Sequence, residues 1–266
     1  MKTPIVLTIA GSDSSGGAGI QADIKTLSAL GVYSASVITN ITAQNTCGVQ
    51  AVHELPSDII ESQLSSVFND LNIDVVKIGM LNTKTIIEQV AQALQKYRPK
   101  NIVLDPVMIS SSGKQLLNND AISALKSLLL PMVTLLTPNI PEAAVLVNSL
   151  PAKNKESMQQ ALFQLAKLVP ESILLKGGHL PGDICTDLLL EDRKMYEFSQ
   201  TKIPTMNTHG TGCTLSSAIA AYLALGIPMQ KAVGKANNYL HQAILNADQL
   251  NIGRGHGPVH HFYHQW

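Results

Sequence analysis

Charge is scarce in this chain. Only 14% of its 266 residues are Asp, Glu, Lys or Arg, and 19 basic side chains cancel 19 acidic ones. A charged fraction well below the usual quarter, beside 45% hydrophobic residues, excludes a disordered polyelectrolyte. The zero net charge removes any electrostatic ground for a nucleic-acid or membrane partner. Cysteine is also sparse. Cys47, Cys185 and Cys213 lie far apart with no C-x-x-C pair or zinc spacing, which reads as free thiols in a reducing compartment. Long apolar runs are missing too. The run over residues 5–10 is too short for a signal peptide and meets Gly11-Ser12-Asp13, while the stretch 128–136 is broken by Pro131. Neither approaches the ~18 residues of a membrane span. The expectation is a soluble, cytoplasmic protein, large enough to need no disulfide or metal staple.

What is present is a rhythm of short β-branched runs and amphipathic helical stretches. Residues 4–10 read as a buried strand; Ile20, Ile24, Leu27 and Leu30 then share one helical face, with Gly31 as C-cap. Residues 32–39 form a second strand. Ser57 is expected to cap a helix with the stripe Ile60, Leu64, Val67 and Leu71, and Thr83 one carrying Ile87, Val90, Ala91 and Leu94. Strands are expected at 73–79, 101–105, 133–136 and 172–176, with helices from about Asn118, over 141–147, and through Met158, Leu162, Leu165 and Val169. Near 184–199 two strands flank Glu191-Asp192-Arg193 as a hairpin, and helices at about 213–225 and 229–248 close the chain. The alternation implies an α/β fold with a mainly parallel sheet, covered on both faces and extended by a late antiparallel hairpin. No linker or repeat divides it, so residues 1–266 read as one domain.

Ligands of open α/β sheets sit beyond the carboxyl ends of the strands. Four loops there are rich in small and polar residues: GSDSSGGAG (11–19), DPVMISSSG (105–113), TPNIPE (137–142) and NTHGTGCT (207–214). The first is neither G-x-G-x-x-G nor a P-loop, and by itself reads equally as a tight turn. In the last, Gly210-Thr211-Gly212-Cys213 opens a helix. Unpaired amides and the helix dipole suit an anion there and favour the Cys213 thiolate, although a lone cysteine is more often a small buried residue.

Read together, GSDSSGGAGIQADIKT, ITAQNTCGV, KIGML, LDPVM, TPNIPEAA, LLKGGH and NTHGTGCTLSSAIAA, in this order and up to the tail GHGPVHHF, closely resemble the hydroxymethylpyrimidine/phosphomethylpyrimidine kinases of the ribokinase superfamily. The resemblance implies a ribokinase-like three-layer α/β/α fold. It also implies ATP- and Mg2+-dependent phosphorylation of 4-amino-5-hydroxymethyl-2-methylpyrimidine, first to its monophosphate and then to the diphosphate, for thiamine biosynthesis. A monovalent cation is a further candidate cofactor, and a homodimer is implied.

Site roles follow from the same resemblance. The backbone of Gly210, Thr211, Gly212 and Cys213 would form the anion hole around the transferring phosphoryl group. Cys213 stands where most of the superfamily has Asp, and would accept the proton of the attacking hydroxyl. Gln44, in the AQN motif, would recognise the aminopyrimidine edge, since a carboxamide both donates and accepts. Gly11, Asp23, Met80 and Val107 would line the substrate pocket, Val107 through its backbone. Asn139 and Glu142 form N-x-x-E, with Glu142 holding magnesium through water and Asp105 a second candidate. Lys176 would approach the nucleotide phosphates, Thr208 and Thr211 would touch the nucleotide, and Asn237 would lie near the adenine. His256, His260, His261 and His264 belong to the family's ordinary ending, hence a structural tail that packs back on the body rather than a metal site. Two alternatives remain: a pyridoxal or pyridoxine kinase, or a non-catalytic pyrimidine sensor on the same fold.

Overall fold

Burial on both faces of the central strands explains why they read as unbroken apolar runs. The computed structural model describes residues 2–108 and 117–266. In chain order the strands are β1 (Ile5–Asp13), β2 (Tyr33–Asn45), β3 (Gly48–Glu54), β4 (Val75–Ile78), β5 (Ile102–Leu104), β6 (Leu135–Leu136), β7 (Ser172–Leu175), β8 (Ile184–Glu191) and β9 (Lys194–Thr201). Interleaved with them run α1 (Gly19–Ala29), α2 (Ser57–Asp70), α3 (Lys84–Tyr97), α4 (Asn119–Ala124), α5 (Ile140–Val147), α6 (Lys155–Leu165), α7 (Thr211–Ala224) and α8 (Met229–Leu245). Among the described residues the strands form one sheet, ordered β3-β2-β1-β4-β5-β6-β7-β8-β9. Pairing is parallel from β2 to β7, and antiparallel at both ends.

The two faces carry separate cores. Leu7, Ile9, Val76, Ile78 and Leu104 point to one side and pack against helices α2 to α6. Val6, Val75, Val103 and Leu135 point to the other, against Leu27 of α1, Leu215 and Ile219 of α7, and Val233 of α8. The alternation is the two-residue period of a strand covered on both sides. Because β1, β4, β5, β6 and β7 run the same way, the loops following them open at one edge of the sheet, and the turn into α7 joins them there.

Several sequence expectations need correction. Strand β2 continues to Asn45 and turns back through β3, so the AQN segment is strand rather than loop, and a second antiparallel hairpin closes the opposite edge. Val49, Ala51 and Val52 on that strand are all exposed. Ser57 is the first residue of α2, with Pro56 at the N-cap position, and the Thr83 side chain makes no capping bond. Asn118 does cap α4, accepting from the Ala121 amide. The expected loop 105–113 is described only through Met108, so its residues 109–113 lie outside the described part.

Candidate active site

Two glycines of the GTGC turn are required by what lies beside them. Gly210 occupies the N-cap position of α7 at φ 82°, and a Cβ there would fall 1.8 Å from the Gly17 carbonyl oxygen. Only glycine fits a left-handed position so close to another backbone. A Cβ on Gly212 would stand 3.3 Å from Asp105 Oδ2 and 3.4 Å from Lys176 Nζ, so its absence seats that pair against the first helical turn. Behind them Ser216, Ser217, Ala218, Ala220 and Ala221 are buried, and their small size lets α7 approach the sheet closely. Thr211 N–H donates to the Thr208 carbonyl at 3.3 Å. The amides of Gly212 and Cys213 have no acceptor among the described residues, which leaves two helix-terminal donors for an anion.

Charges of alternating sign underlie this turn. Asp23 was expected to line the substrate pocket; instead its side chain is fully buried and saturated. Lys77 Nζ donates to its two carboxylate oxygens at 2.8 and 2.9 Å, Thr8 Oγ1 at 2.6 Å and Ser217 Oγ at 2.7 Å. Asp23 is thus the counter-ion that permits a lysine inside the sheet. On the other side Lys176 Nζ donates to Asp105 Oδ1 at 2.7 Å, and Thr137 Oγ1 to the same atom at 3.2 Å. Burial opposes the Lys176 charge, but Asp105 and Glu142 outweigh it and hold its pKa above the ordinary value.

Between these pairs lies Cys213, and here the expectation of a stabilised thiolate is reversed. Burial, joined by the carboxylates of Asp23 and Asp105, pushes the thiol up to about 11 despite the pull of Lys77 and the Gly19 amide. The helix terminus does not overcome that surrounding, so Cys213 rests as a neutral thiol.

Asn139 and Glu142 form a reciprocal cap at the start of α5. Glu142 N–H donates to Asn139 Oδ1 at 2.9 Å, and Asn139 N–H to Glu142 Oε2 at 2.8 Å. Burial, with Asp105 nearby, pushes the Glu142 carboxyl up to about 7 although Lys176 counters it. Two carboxylates share one lysine in this corner. That surplus of hard oxygen donors fits a magnesium ion, and no cluster of three or more His, Cys, Asp or Glu among the described residues offers an all-protein cage.

A second group of residues gathers around Gly11. A Cβ there would sit 2.4 Å from Asn40 Oδ1 and 2.9 Å from Met80 Cε, so the three line one wall. Asn40, which the sequence reading passed over, presents a buried Oδ1 with no hydrogen-bond partner among the described residues. Val107 N–H donates to the Asp105 carbonyl at 2.8 Å. Gln44, half-buried, reaches toward His209, with 3.2 Å between Gln44 Nε2 and His209 Nε2. His209 in turn lies 2.9 Å from Asp13 Oδ2. Asp13 and His209 both sat inside quoted motifs, yet each looked like an ordinary loop polar residue until the fold joined them.

Asn237 lies apart from that wall. With Phe198, Lys231, Gly234, Lys235 and Asn238 it lines a cleft of about 490 Å³ between β9 and α8. Thr208 is exposed on the loop leading to α7. The C-terminal segment does fold back: Gly257 O accepts from His209 N–H at 3.0 Å, His261 Nε2 lies 3.1 Å from Thr214 Oγ1, and His260 N–H donates to Ala243 O at 2.9 Å.

A parallel sheet with helices on both faces, edged by antiparallel hairpins and carrying an amide-lined helix terminus at its carboxyl edge, defines a ribokinase-like phosphotransferase. A family model described as phosphomethylpyrimidine kinase matches residues 13–260, and the chain belongs to that family. The hydroxymethylpyrimidine/phosphomethylpyrimidine kinase of Rhizobium meliloti is 49% identical over 264 residues, 99% of either chain. The crystal structure of phosphomethylpyrimidine kinase from Clostridium difficile superposes with a TM-score of 0.81 at 45% identity, covering 91% of this chain and 100% of that one. The pyridoxal kinase of Staphylococcus aureus in complex with AMP-PCP and pyridoxal superposes at 0.91 with 32% identity, covering 100% and 96%.

Proposed function

We propose that this protein phosphorylates 4-amino-5-hydroxymethyl-2-methylpyrimidine and then its monophosphate at the expense of ATP, serving thiamine biosynthesis. The observation that carries the reading is the convergence of the free Gly212 and Cys213 amides, Lys176 and the Gln44 wall at one edge of the sheet. In the first transfer the hydroxymethyl oxygen attacks the γ-phosphorus, the bond from that phosphorus to the bridging β–γ oxygen breaks, ADP leaves, and the hydroxyl proton passes to Sγ of the minor thiolate form of Cys213. In the second, an anionic oxygen of the monoester attacks, and no base is needed. Both transition states are served by positioning and charge neutralisation: the Gly212 and Cys213 amides and Lys176 bind the phosphoryl oxygens. Glu142 and Asp105 would hold magnesium, which when bound neutralises phosphate charge. The cleft beside Phe198 and Asn237 suits the adenine, with Thr208 and Thr211 on the phosphate side.

One domain carries the whole activity, in the cytoplasm; no described helix is long and apolar enough to cross a membrane. Homodimerisation is supported by the edge hairpin, where Ile41, Val49 and Val52 are all more than 40% exposed.

A pyridoxal kinase is the second reading, favoured by the close superposition on the S. aureus enzyme. Gln44 decides against it, because its carboxamide complements an amino group beside a ring nitrogen. In direct competition for limiting enzyme, kcat/KM for the hydroxymethylpyrimidine should exceed that for pyridoxal by at least ~10-fold. Preferential turnover of pyridoxal would reverse the assignment.

A further inference from the structure

The orientation of the Gln44 carboxamide is fixed by proton counting. One end of the amide lies 3.1 Å from Thr42 Oγ1 and the other 3.2 Å from His209 Nε2. The two ends of a carboxamide have the same shape, so their neighbours' hydrogens decide which is which. Burial would raise the Asp13 pKa, but hydrogen bonds from His209, Ser15 and Ala18 prevail and hold it down at about 2. Asp13 is therefore an acceptor only. Its contact with His209 Nε2 requires that nitrogen to carry the hydrogen; with no lone pair left to accept a Gln44 N–H, it tolerates only the oxygen of Gln44 beside it, as the weaker partner of a hydrogen shared with Asp13. At the other end Thr42 Oγ1 donates its single hydrogen to the Ser12 carbonyl at 3.0 Å, so it must accept from Gln44. Each end independently requires Oε1 toward His209 and Nε2 toward Thr42.

We propose that Asp13 and His209 are positioning residues that lock this orientation of Gln44, and so select a heteroaromatic ring presenting an amino donor and a ring-nitrogen acceptor in one fixed order. The proposal rests on the reading that Gln44 faces the pyrimidine. Locked in this way, Gln44 keeps one lone pair on Oε1 for the amino group and one N–H on Nε2 for the ring nitrogen. A flipped amide would set two N–H groups against each other at His209 and two acceptors at Thr42. The device is built in depth. Asp13 Oδ2 also accepts from Gly17 N–H at 3.1 Å and Ala18 N–H at 2.8 Å, while Ser15 N–H donates to Oδ1 at 2.9 Å. A Cβ on Gly17 would fall 2.3 Å from His209 Cδ2, so glycine leaves room for the imidazole.

The test is a double-mutant cycle read as KM for the hydroxymethylpyrimidine. His209→Leu should raise KM roughly 10–100-fold, the size of a misdirected hydrogen bond, with a much smaller change in kcat. His209→Gln, which restores an N–H at similar reach, should recover most of that loss. Gln44→Ala should also raise KM, and adding His209→Leu to it should change KM no further. If His209→Leu raises KM equally with and without Gln44, the histidine is merely structural and the positioning role is lost. If Gln44→Ala leaves KM unchanged, the underlying pyrimidine-contact reading is what fails. Should His209→Leu lose its cooperative melting transition, Thr42→Val releases the other end of the amide and enters the same cycle under the same criteria.

Discussion

Replacing Cys213 by alanine should slow phosphorylation of the hydroxymethyl group by ~10²-fold or more, the usual range of a lost general base, while phosphorylation of the monophosphate falls less than ~10-fold. The asymmetry follows from the two acceptors. An alcohol must shed a proton as it attacks, whereas a phosphate monoester already offers an anionic oxygen. Because burial and the Asp23 and Asp105 carboxylates push the Cys213 thiol up to about 11, the competent thiolate is a small fraction at neutral pH. The first transfer should therefore accelerate about tenfold per unit as pH rises toward 10 and level off near 11, with the second transfer almost flat over the same interval. Single-turnover kinetics with each substrate across that range separate the cases. Equal losses in both transfers, or parallel pH profiles, would make Cys213 an anion-hole or packing residue.

Lys77→Met should be the most damaging substitution to stability. Lys77 and Asp23 have no exposed side-chain surface, and burial of the lysine is offset first by Asp23, then by Cys213 and Asp105, leaving its pKa raised. Removing one member leaves a carboxylate buried with only Thr8 and Ser217 for company, a loss of about 3–5 kcal/mol in denaturant unfolding. Converting the pair together, Lys77→Met with Asp23→Leu, should recover part of that loss, since apolar replacements of buried pairs are often tolerated. Because Lys77 pulls the Cys213 pKa down, Lys77→Met should also slow alkylation of Cys213 at pH 8. A Lys77→Met variant as stable as the parent would show that the pair is dispensable to the core.

Much of this architecture was legible in advance, and the reasons are physical. Apolar runs such as 5–10 and 172–175 must be buried on both faces, and stripes such as Ile87, Val90 and Leu94 must face inward, so the parallel body followed from periodicity. The Gly210 to Cys213 turn could be placed because glycines before a helix leave amides free. Strand β3 was missed because every large side chain on it is exposed, which leaves no apolar face to detect. Asp23 was misplaced for a different reason. Nothing in the string links it to Lys77, 54 residues away, and only the fold shows that the two neutralise each other. Asp13 and His209, 196 residues apart, were invisible as a pair for the same reason. The behaviour of Cys213 was misjudged because a helix terminus is visible in sequence, whereas the desolvation and carboxylates that outweigh it are not.

The whole account turns on one enzyme site performing two successive phosphoryl transfers to one pyrimidine. Its most direct test is the stoichiometry of ADP release with limiting 4-amino-5-hydroxymethyl-2-methylpyrimidine and saturating magnesium-ATP, followed by mass analysis of the product. Two ADP per pyrimidine, with the diphosphate as end product, is the expected result. Tight binding of the pyrimidine with no ADP released, or turnover confined to pyridoxal, would contradict it.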